Sequence, residues 1–471
     1  MYAYICQNKN MTLIASVSGI RGTIGGGINQ NLTAVDVVAF AAAYGSWVKT
    51  KHKSATVVVG RDARISGPMI QGLVQQTLVS LGIDVIDVGL STTPTVEMEV
   101  IRKQSQGGIV ITASHNPKEW NALKLLNSKG EFISAEDGAE LMQYVKRQSF
   151  DFVGVDDLGE ICVVTDALKA HVDAILKLPQ VDINAIKAAS FSAVVDGVNS
   201  SGGVAVPMLL DHLGVNVHKI HCLPNGEFSH NPEPLKEHLF DLSYAVTTHH
   251  ADLGIAVDPD VDRLVFMDEN GFLFGEEYTL VACADYLLQT ENGDVVSNLS
   301  SSRALADLAN EYGVAYHASA VGEVHVVAKM KEVNAIIGGE GNGGVILPAL
   351  HYGRDALVGI ALFLSYLAKE KISVSSLKER YTSYVMYKKK IALSPSWDPN
   401  ALLAAVADAF ADEHITTIDG VKIDFEDSWI HLRKSNTEPI IRLYGEAKTK
   451  AKVADNIKKI EAAITAFVAT A

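Results

Sequence analysis

The sequence predicts an α/β chain of three similar units, followed by a C-terminal unit of α+β type. Two observations carry this expectation. Up to residue 370, short apolar β runs alternate with helix-length stretches, the rhythm of βαβ units whose mostly parallel strands are covered on both faces. Beyond that point, strands flank an Asp419-Gly420 turn and one last long amphipathic stretch closes the chain, which suits a hairpin packed on helices. A chain of 471 residues, 48% hydrophobic, has length and apolar content for about three or four domains.

Residues 1–11 read as a short extension. SVSGIRGTIGGG at 16–27 is glycine-rich, the mark of a backbone that turns tightly or approaches a ligand closely. Arg21 is its one cation, set either to meet a phosphate or to sit solvated on a flexible turn. Strands at 56–59, 84–88 and 108–112 alternate with helices at 68–81 and 94–103, and GRDARISG at 60–67 is a polar loop. GIVITASHNPKEWNALK at 108–124 comes next. Its apolar run delivers Ser114 to a strand's C-terminal end, where open α/β sheets put ligand chemistry. Small neighbours leave room around the hydroxyl, Pro117 ends regular structure, and Lys124 falls on the next β-like run. An ordinary Ser-Asn-Pro turn has the same local signature. This first unit spans 1–152.

The second unit, 153–252, has a helix at 166–178, a strand at 191–195, the loop DGVNSSGG, a helix at 204–213 and a strand at 215–221. The loop suits an anion at a helix N-terminus or a tight strand-to-helix connection. The third unit, 253–370, opens with a strand at 253–257 that delivers DPDVDR. Asp258, Asp260 and Asp262 alternate at two-residue spacing, so an extended loop sends all three carboxylates to one side. Three like charges this close repel unless a cation sits among them, and hard oxygen ligands suit Mg²⁺. The alternative is a solvated acidic turn, but the flanking runs LGIAV and LVFMD make uncompensated carboxylates costly there. A helix at 303–312, a strand at 315–319, VGEVHVVAKM with His325 as a strand residue, and a short strand at 335–337 lead to GGEGNGGVI. Glu340 and Asn342 are framed there by glycines, either to read neighbouring hydroxyls or to face solvent. HYGRDALVGIALFLSYLAKE at 351–370 reads as one long amphipathic helix.

The fourth unit, 371–471, starts with a connector at 371–383. It continues with strands at 384–393, 429–433 and 440–444 and helices at 400–413 and 451–467. RKSNTEP lies between its central strands. Arg433, Ser435, Asn436, Thr437 and the later Arg442 form a donor-rich set, which is what a phosphate needs. A polar hairpin tip is the alternative.

Composition narrows the function. A net charge of −15 argues against a general nucleic-acid binder, which needs a basic surface. Small phosphorylated ligands need only a local positive pocket. Cys6, Cys162, Cys222 and Cys283 are scattered without C-x-x-C spacing, which fits a reducing compartment and neither a disulfide framework nor a zinc site. No apolar run reaches the ~18–20 residues of a membrane helix, and the N-terminus lacks a signal-peptide pattern. The expected location is cytoplasmic.

In this order, TASHNP (112–117), DPDVDR (258–263), GEGNGG (339–344) and RKSNTEPIIRLYGEA (433–447), with the weaker SGIRG (18–22), resemble the α-D-phosphohexomutase superfamily over nearly the whole chain. The resemblance implies three similar mixed-sheet α/β domains and a separate C-terminal α+β domain around a central cleft. It implies that Ser114 is a phosphoserine that gives and takes back a phosphoryl group. Asp258, Asp260 and Asp262 would hold Mg²⁺ with an oxygen of that phosphoserine. Glu340 and Asn342 would read sugar hydroxyls. Arg433, Ser435, Asn436 and Thr437, with Arg442, would bind the phosphate that is not being transferred. Arg21, Lys124 and Arg263 would stand near the transferring group, with Lys124 the acid/base candidate.

The reaction implied interconverts a hexose 6-phosphate and a 1-phosphate through a bisphosphorylated sugar, with a sugar 1,6-bisphosphate as activator. Members acting on mannose and glucose typically carry a His directly after the glycine of the loop matching VGEVH, and GEMSGH in the sugar loop. This chain has Gly322-Glu323 and GEGNGG there. Both departures resemble the phosphoglucosamine mutase-like branch, although its usual bacterial form is GEQSGH, and imply glucosamine 6-phosphate as substrate. His325 offers an alternative base. Phosphomannomutase/phosphoglucomutase activity is the alternative within the class. A Mg²⁺-dependent serine phosphatase is the alternative outside it, disfavoured by a second phosphate loop that a hydrolase does not need. The expected partners are small sugar phosphates, with neither nucleic acid nor membrane, for a monomer or homodimer.

Overall fold

The computed structural model describes residues 11–16, 19–52, 54–394, 397–435 and 440–470. Cys6, Ser18, Asn436, Thr437 and nearly all of the expected N-terminal extension lie outside the described residues.

The described residues form four sheets. In the first, the order is Ile14–Ser16, Gly19–Thr23, Trp120–Leu126, Gly107–Ile111, Thr56–Arg61, Asp84–Leu90, Ile161–Val163. Thr56–Arg61 pairs in parallel with both Asp84–Leu90 and Gly107–Ile111, whereas Trp120–Leu126 runs antiparallel to Gly107–Ile111. The central strands carry buried residues on both faces, as Val57–Val59 and Ile109–Ile111 show, because helices cover each side. One of those helices, Ala34–Lys51, was not anticipated from the sequence. Thr33 opens it with a capping box, accepting from the Asp36 N–H while Asp36 accepts from its own.

The second and third sheets repeat one plan. Leu264–Met267 runs antiparallel to Leu253–Val257, which is parallel to Ser192–Asp196, itself parallel to Asn216–Ile220. Likewise Gly344–Ile346 runs antiparallel to Ile337–Glu340, followed by the parallel strands Val295–Asn298 and Tyr316–Ser319. In all three sheets a parallel strand therefore leads through a loop into an antiparallel neighbour. The first two loops contain SHNPKE and DPDVDR, and the third is the turn at 341–343 in the middle of GEGNGG. The sheets are mixed rather than mostly parallel for this reason.

Several expectations change. The strands at 253–267, expected to open the third unit, complete the second sheet, and Ile161–Val163, expected in the second unit, extends the first. VGEVHVVAKM forms the helix Glu323–Val333, with His325 exposed on it, rather than a strand. Its valines suggested β structure, but Gly322 precedes a helical turn. HYGRD is a loop, and the helix Ala356–Glu370 starts only where the Asp355 carboxylate caps Leu357 and Val358 N–H groups. That helix is buried on every side from Ala356 to Ala368 rather than amphipathic, and packs at the centre of a core shared by the second and third sheets. Gly343 ties these sheets together. Its carbonyl accepts from Leu264 N–H at 3.1 Å, its φ is +87°, and a Cβ there would come within 2.2 Å of the Leu264 oxygen.

The fourth sheet is fully antiparallel, in the order Val385–Ala392, Ile440–Ala447, Ser428–Lys434, Val421–Asp424, His414–Thr416. The helices Pro399–Ala409 and Lys450–Thr470 pack on it. It docks on the third unit through polar contacts. Asp419 Oδ2 accepts from Val321 N–H at 3.0 Å, and Glu446 Oε1 accepts from Arg303 N–H and Trp429 Nε1, both at 2.9 Å. His431 Nε2 donates to the Asp419 carbonyl at 2.6 Å, which leaves Nδ1 to accept from Ser300 Oγ at 2.9 Å.

Among the described residues, no helix is long and apolar enough to cross a membrane, and Cys162, Cys222 and Cys283 are free thiols.

Burial lowers His431 to about 4, although the Asp419 carbonyl favours its charged form. An unfolded histidine titrates at about 6.5, so the unfolded chain takes up this proton first as pH falls. The stabilisation from neutral His431 is complete above that pH and is lost as pH drops toward 4, amounting to about 3 kcal/mol. Urea unfolding followed by fluorescence should therefore show a shallower pH dependence in His431→Asn than in the wild type between pH 7 and 4. Parallel profiles would show that His431 titrates normally in the folded state.

Candidate active site

Ser114 sits just past the C-terminal end of Gly107–Ile111, 7% exposed, with a left-handed φ of 49°. A non-glycine residue there costs on the order of 1–2 kcal/mol, so surrounding contacts must hold it. Its N–H donates to Thr112 Oγ1 at 2.9 Å. The fully buried Arg64 supplies the rest. Its Nη2 donates to the carbonyls of Ser114 (2.5 Å) and Asn116 (2.7 Å), and its Nη1 to those of Pro117 (2.7 Å) and Trp120 (2.9 Å). Its Nε donates to Asp62 Oδ2 at 3.0 Å, and Asp62 Oδ2 also accepts from Thr112 Oγ1 at 2.7 Å.

The held hydroxyl points across to the second sheet. Ser114 Oγ donates to Asp258 Oδ2 at 2.6 Å, and Asp258 Oδ1 accepts from the N–H groups of Asp262 (3.2 Å) and Arg263 (3.1 Å). Asp258, Asp260 and Asp262 have no exposed surface, and one ligand oxygen from each lies within 4.8 Å of the others. Lys124 Nζ, from the first sheet, donates to Asp260 Oδ2 at 2.6 Å and Asp262 Oδ2 at 2.9 Å. Arg354, from the loop before Ala356–Glu370, donates from Nη2 to Asp262 Oδ2 (2.8 Å), from Nη1 to Glu340 Oε2 (2.8 Å) and from Nε to Glu323 Oε2 (3.0 Å).

The charges respond to this crowding. Burial, then repulsion from Asp260 and Asp262, pushes Asp258 well above the usual carboxylate range. Burial acts the same way on Asp262, but Arg354, Lys124 and Arg263 outweigh it and hold that carboxyl low. Burial alone would lower Lys124, yet the two aspartates keep it above its ordinary value and protonated. Among the described residues, Asp260 Oδ1 and Asp262 Oδ1 are buried without hydrogen-bond partners. Buried unpaired oxygens beside a carboxylate driven toward its neutral form are a donor set that fits a hard divalent cation.

Cationic groups flank the trio. Arg263 Nη1 pairs with Glu233 Oε1 at 3.2 Å, while its Nε and that of Arg21 are buried without hydrogen-bond partners among the described residues. Burial, then the proximity of Arg442 and Arg263, lowers Arg21. The first sheet, the aspartate loop and the fourth sheet thus each contribute one arginine to the same neighbourhood. Burial and Arg263 likewise push His115 well below the imidazole range.

The polar residues of the glycine-framed loop are engaged. Glu340 Oε1 accepts from Asn298 Nδ2 (2.8 Å) and Gly322 N–H (3.1 Å). Asn342 Oδ1 accepts from Gly344 N–H at 3.2 Å, and its Nδ2 lies 3.5 Å from Glu340 Oε2. Arg433 Nε stands 3.2 Å from Asp419 Oδ2, the carboxylate oxygen that meets Val321 N–H beside Gly322. The buried Ser435 donates its N–H to Ile440 O at 3.0 Å.

The structure thus brings together Ser114, Lys124, the three aspartates and Arg263, with Arg21 and Arg442 alongside and Glu340 joined through Arg354. Sequence reading missed Arg64, Asp62, Arg354 and Glu323. The signal was present in GRDARISG and HYGRD, where buried arginines lie beside aspartates, but nothing local showed that these arginines are buried.

The fold and this loop set define a four-domain phosphoryl-transfer class. Family profiles agree. The chain matches phosphoglucomutase/phosphomannomutase alpha/beta/alpha domain I at 13–152, domain II at 169–271, domain III at 275–384 and the C-terminal domain at 395–463. It is 36% identical over 455 residues to a Thermococcus kodakarensis protein named phosphoglucomutase/phosphomannomutase, covering 95% of this chain and 98% of that one. It is 32% identical over 438 residues to a probable phosphoglucosamine mutase of Methanopyrus kandleri, covering 92% and 94%. A crystal structure of a phosphoglucomutase/phosphomannomutase family protein from Burkholderia thailandensis superposes with a TM-score of 0.83 at 26% identity, covering 96% and 98%. The chain belongs to the phosphoglucomutase/phosphomannomutase family, within the α-D-phosphohexomutase superfamily. Its class is that of the intramolecular phosphotransferases, which are isomerases.

Arg64→Met leaves Asp62 as a buried carboxylate without its cation and strips four carbonyls of a donor. The expected loss is about 3–5 kcal/mol, the range for breaking a buried ion pair. It should appear as a lowered urea midpoint, and an unchanged midpoint would contradict the clamp.

Proposed function

We propose that this chain interconverts glucosamine 6-phosphate and glucosamine 1-phosphate, with Ser114 as the phosphoryl carrier. The observation that carries the reading is the contact of Ser114 Oγ with Asp258 at 2.6 Å, beside two buried aspartate oxygens that lack hydrogen-bond partners among the described residues. A sugar 1,6-bisphosphate would serve to charge the serine.

Phosphoryl transfer asks a protein mainly for positioning and charge neutralisation. Asp258, Asp260 and Asp262 would hold Mg²⁺, which when bound supplies positive charge to the oxygens of the transferring group. Arg21 and Arg263 add positive charge on the protein's side. In transfer from Ser114 to a sugar hydroxyl, the bond from Oγ to phosphorus breaks and one from the sugar oxygen forms. The sugar's proton ends on Ser114 Oγ, the oxygen that donates to Asp258 in this structure. Lys124 is the acid/base candidate, held as an ammonium between Asp260 and Asp262. Return of the second phosphate reverses each movement. Near-complete burial of Ser114 keeps water from competing with the sugar hydroxyl.

The non-transferring phosphate would meet Arg433, Ser435, Asn436, Thr437 and Arg442, and Glu340 with Asn342 would read hydroxyls. Such a phosphate site must accept either end of the sugar, so donors aimed at phosphate oxygens suit it better than ring contacts. The amino-sugar assignment is supported by GEGNGG and by Gly322-Glu323, and by a relative named as a probable phosphoglucosamine mutase.

Two measurements test this reading. Ser114→Ala should abolish mutase turnover while leaving the circular-dichroism spectrum unchanged; substantial residual turnover rules out the carrier role. Among glucosamine 6-phosphate, mannose 1-phosphate and glucose 1-phosphate, the amino sugar should show the highest kcat/KM. If it is the slowest of the three, the hexosamine assignment fails.

A further inference from the structure

Three segments of the second sheet's unit converge outside the aspartate trio. Asp196 ends the strand Ser192–Asp196, His221 follows the parallel strand Asn216–Ile220, and His230 comes from the loop at 222–235. Asp196 is 1% exposed. Its Oδ2 lies 3.1 Å from His221 Nδ1 and 3.0 Å from His230 Nε2. The outer nitrogen of each ring faces an acceptor. His221 Nε2 is 3.3 Å from Asp241 Oδ2, and His230 Nδ1 is 2.8 Å from the Asn231 carbonyl.

A neutral imidazole has one N–H. When the outer acceptors take it, the two inner nitrogens present lone pairs to a carboxylate oxygen that has only lone pairs to offer. In that tautomer the convergence needs positive charge at its centre, either one extra proton on each ring or a cation; with the N–H turned inward Asp196 is satisfied instead, and the outer nitrogen then faces its acceptor bare. Histidines that ligate metals show this same outer arrangement, with the second N–H given to a carboxylate or backbone carbonyl.

We propose that Asp196, His221 and His230 bind a late first-row divalent cation of the Zn²⁺ type, at a site separate from the hard-cation site of Asp258, Asp260 and Asp262. Imidazole donors suit Zn²⁺, Co²⁺ or Ni²⁺, whereas all-oxygen sets suit Mg²⁺. Asp196 Oδ2 lies 3.0–3.1 Å from the two histidine nitrogens, a few tenths of an ångström short of the roughly 3.3–3.6 Å that ligands at about 2.0–2.2 Å from one tetrahedral ion span, so a small outward shift would admit the ion. The histidine side chains are 21% and 15% exposed, which gives the ion an entry path. Three protein ligands leave a fourth position for water.

The consequence reaches the active site through the same loop. Glu227 pairs with Lys118 of the Ser114 loop at 2.7 Å, and Glu233 pairs with Arg263 at 3.2 Å. A cation fixing His230 would fix the segment that touches both.

The test uses the full-length chain, stripped with a chelator, held in excess Mg²⁺ and titrated with Co²⁺ while visible absorption and proton release are followed. One Co²⁺ per chain should bind with the bands of a nitrogen-ligated site, undisplaced by Mg²⁺, with protons released at neutral pH. His221→Ala and His230→Ala should each abolish those bands. Asp241→Ala removes a carboxylate that is 75% exposed, so it should fold normally and lower Co²⁺ affinity about 10-fold or more. No bound Co²⁺ in the wild type, or an affinity that none of the three substitutions lowers, overturns the proposal and leaves protons as the charge that holds the cluster together.

Discussion

Three aspartates without exposed surface cannot stand side by side as anions unless cations stand among them. This constraint organises the molecule. The trio comes from the second sheet, Lys124 from the first, and Arg354 from the loop that leads into the central helix of the third. Each cation is buried by the same contacts that need it, so the sheets can meet only in an arrangement that brings the charges into register. Arg354 extends the arrangement, since one planar guanidinium reaches Asp262, Glu323 and Glu340 through separate nitrogens, a geometry that lysine could not reproduce. The aspartate loop and the glycine-framed loop are thereby coupled through one side chain.

Repetition of the sheet plan explains why chemistry collects where it does. Each of the first three sheets has a parallel strand turning back into an antiparallel neighbour, and each turn lies past the C-terminal end of that strand. The serine loop, the aspartate loop and the glycine-framed loop are thus equivalent positions on three copies of one layer architecture. The fourth sheet closes the arrangement from a different direction, with Arg442 brought near Arg21 and Arg263. Arginines gathered this closely repel one another, and a neighbourhood of that kind suits an anionic group.

The sequence made the loops legible because their residues are extreme: alternating aspartates, glycines around a carboxylate, a donor-rich hairpin. It also made the α/β rhythm legible, since buried parallel strands appear as short apolar runs. What it concealed was membership and burial. Leu253–Val257 and Leu264–Met267 lie next to the aspartates in sequence, but nothing local says which sheet they join. VGEVHVVAKM alternates as a strand would, yet a helix absorbs it. Arg64 and Arg354 look like ordinary surface arginines until four carbonyls and three carboxylates, distant along the chain, are seen around them. The helix after HYGRD looks amphipathic only because its neighbours on the far side are hidden from a one-dimensional reading.

The most direct measurement follows a labelled phosphoryl group. The purified chain would be incubated with a sugar 1,6-bisphosphate carrying an isotopic label in its phosphates, separated from the sugar, digested, and mapped by peptide mass spectrometry. It would then be chased with unlabelled sugar monophosphate. The account predicts one labelled phosphoryl group per chain, on Ser114, returned to sugar during the chase. Label on another residue, or label appearing as inorganic phosphate with none on the protein, would contradict it.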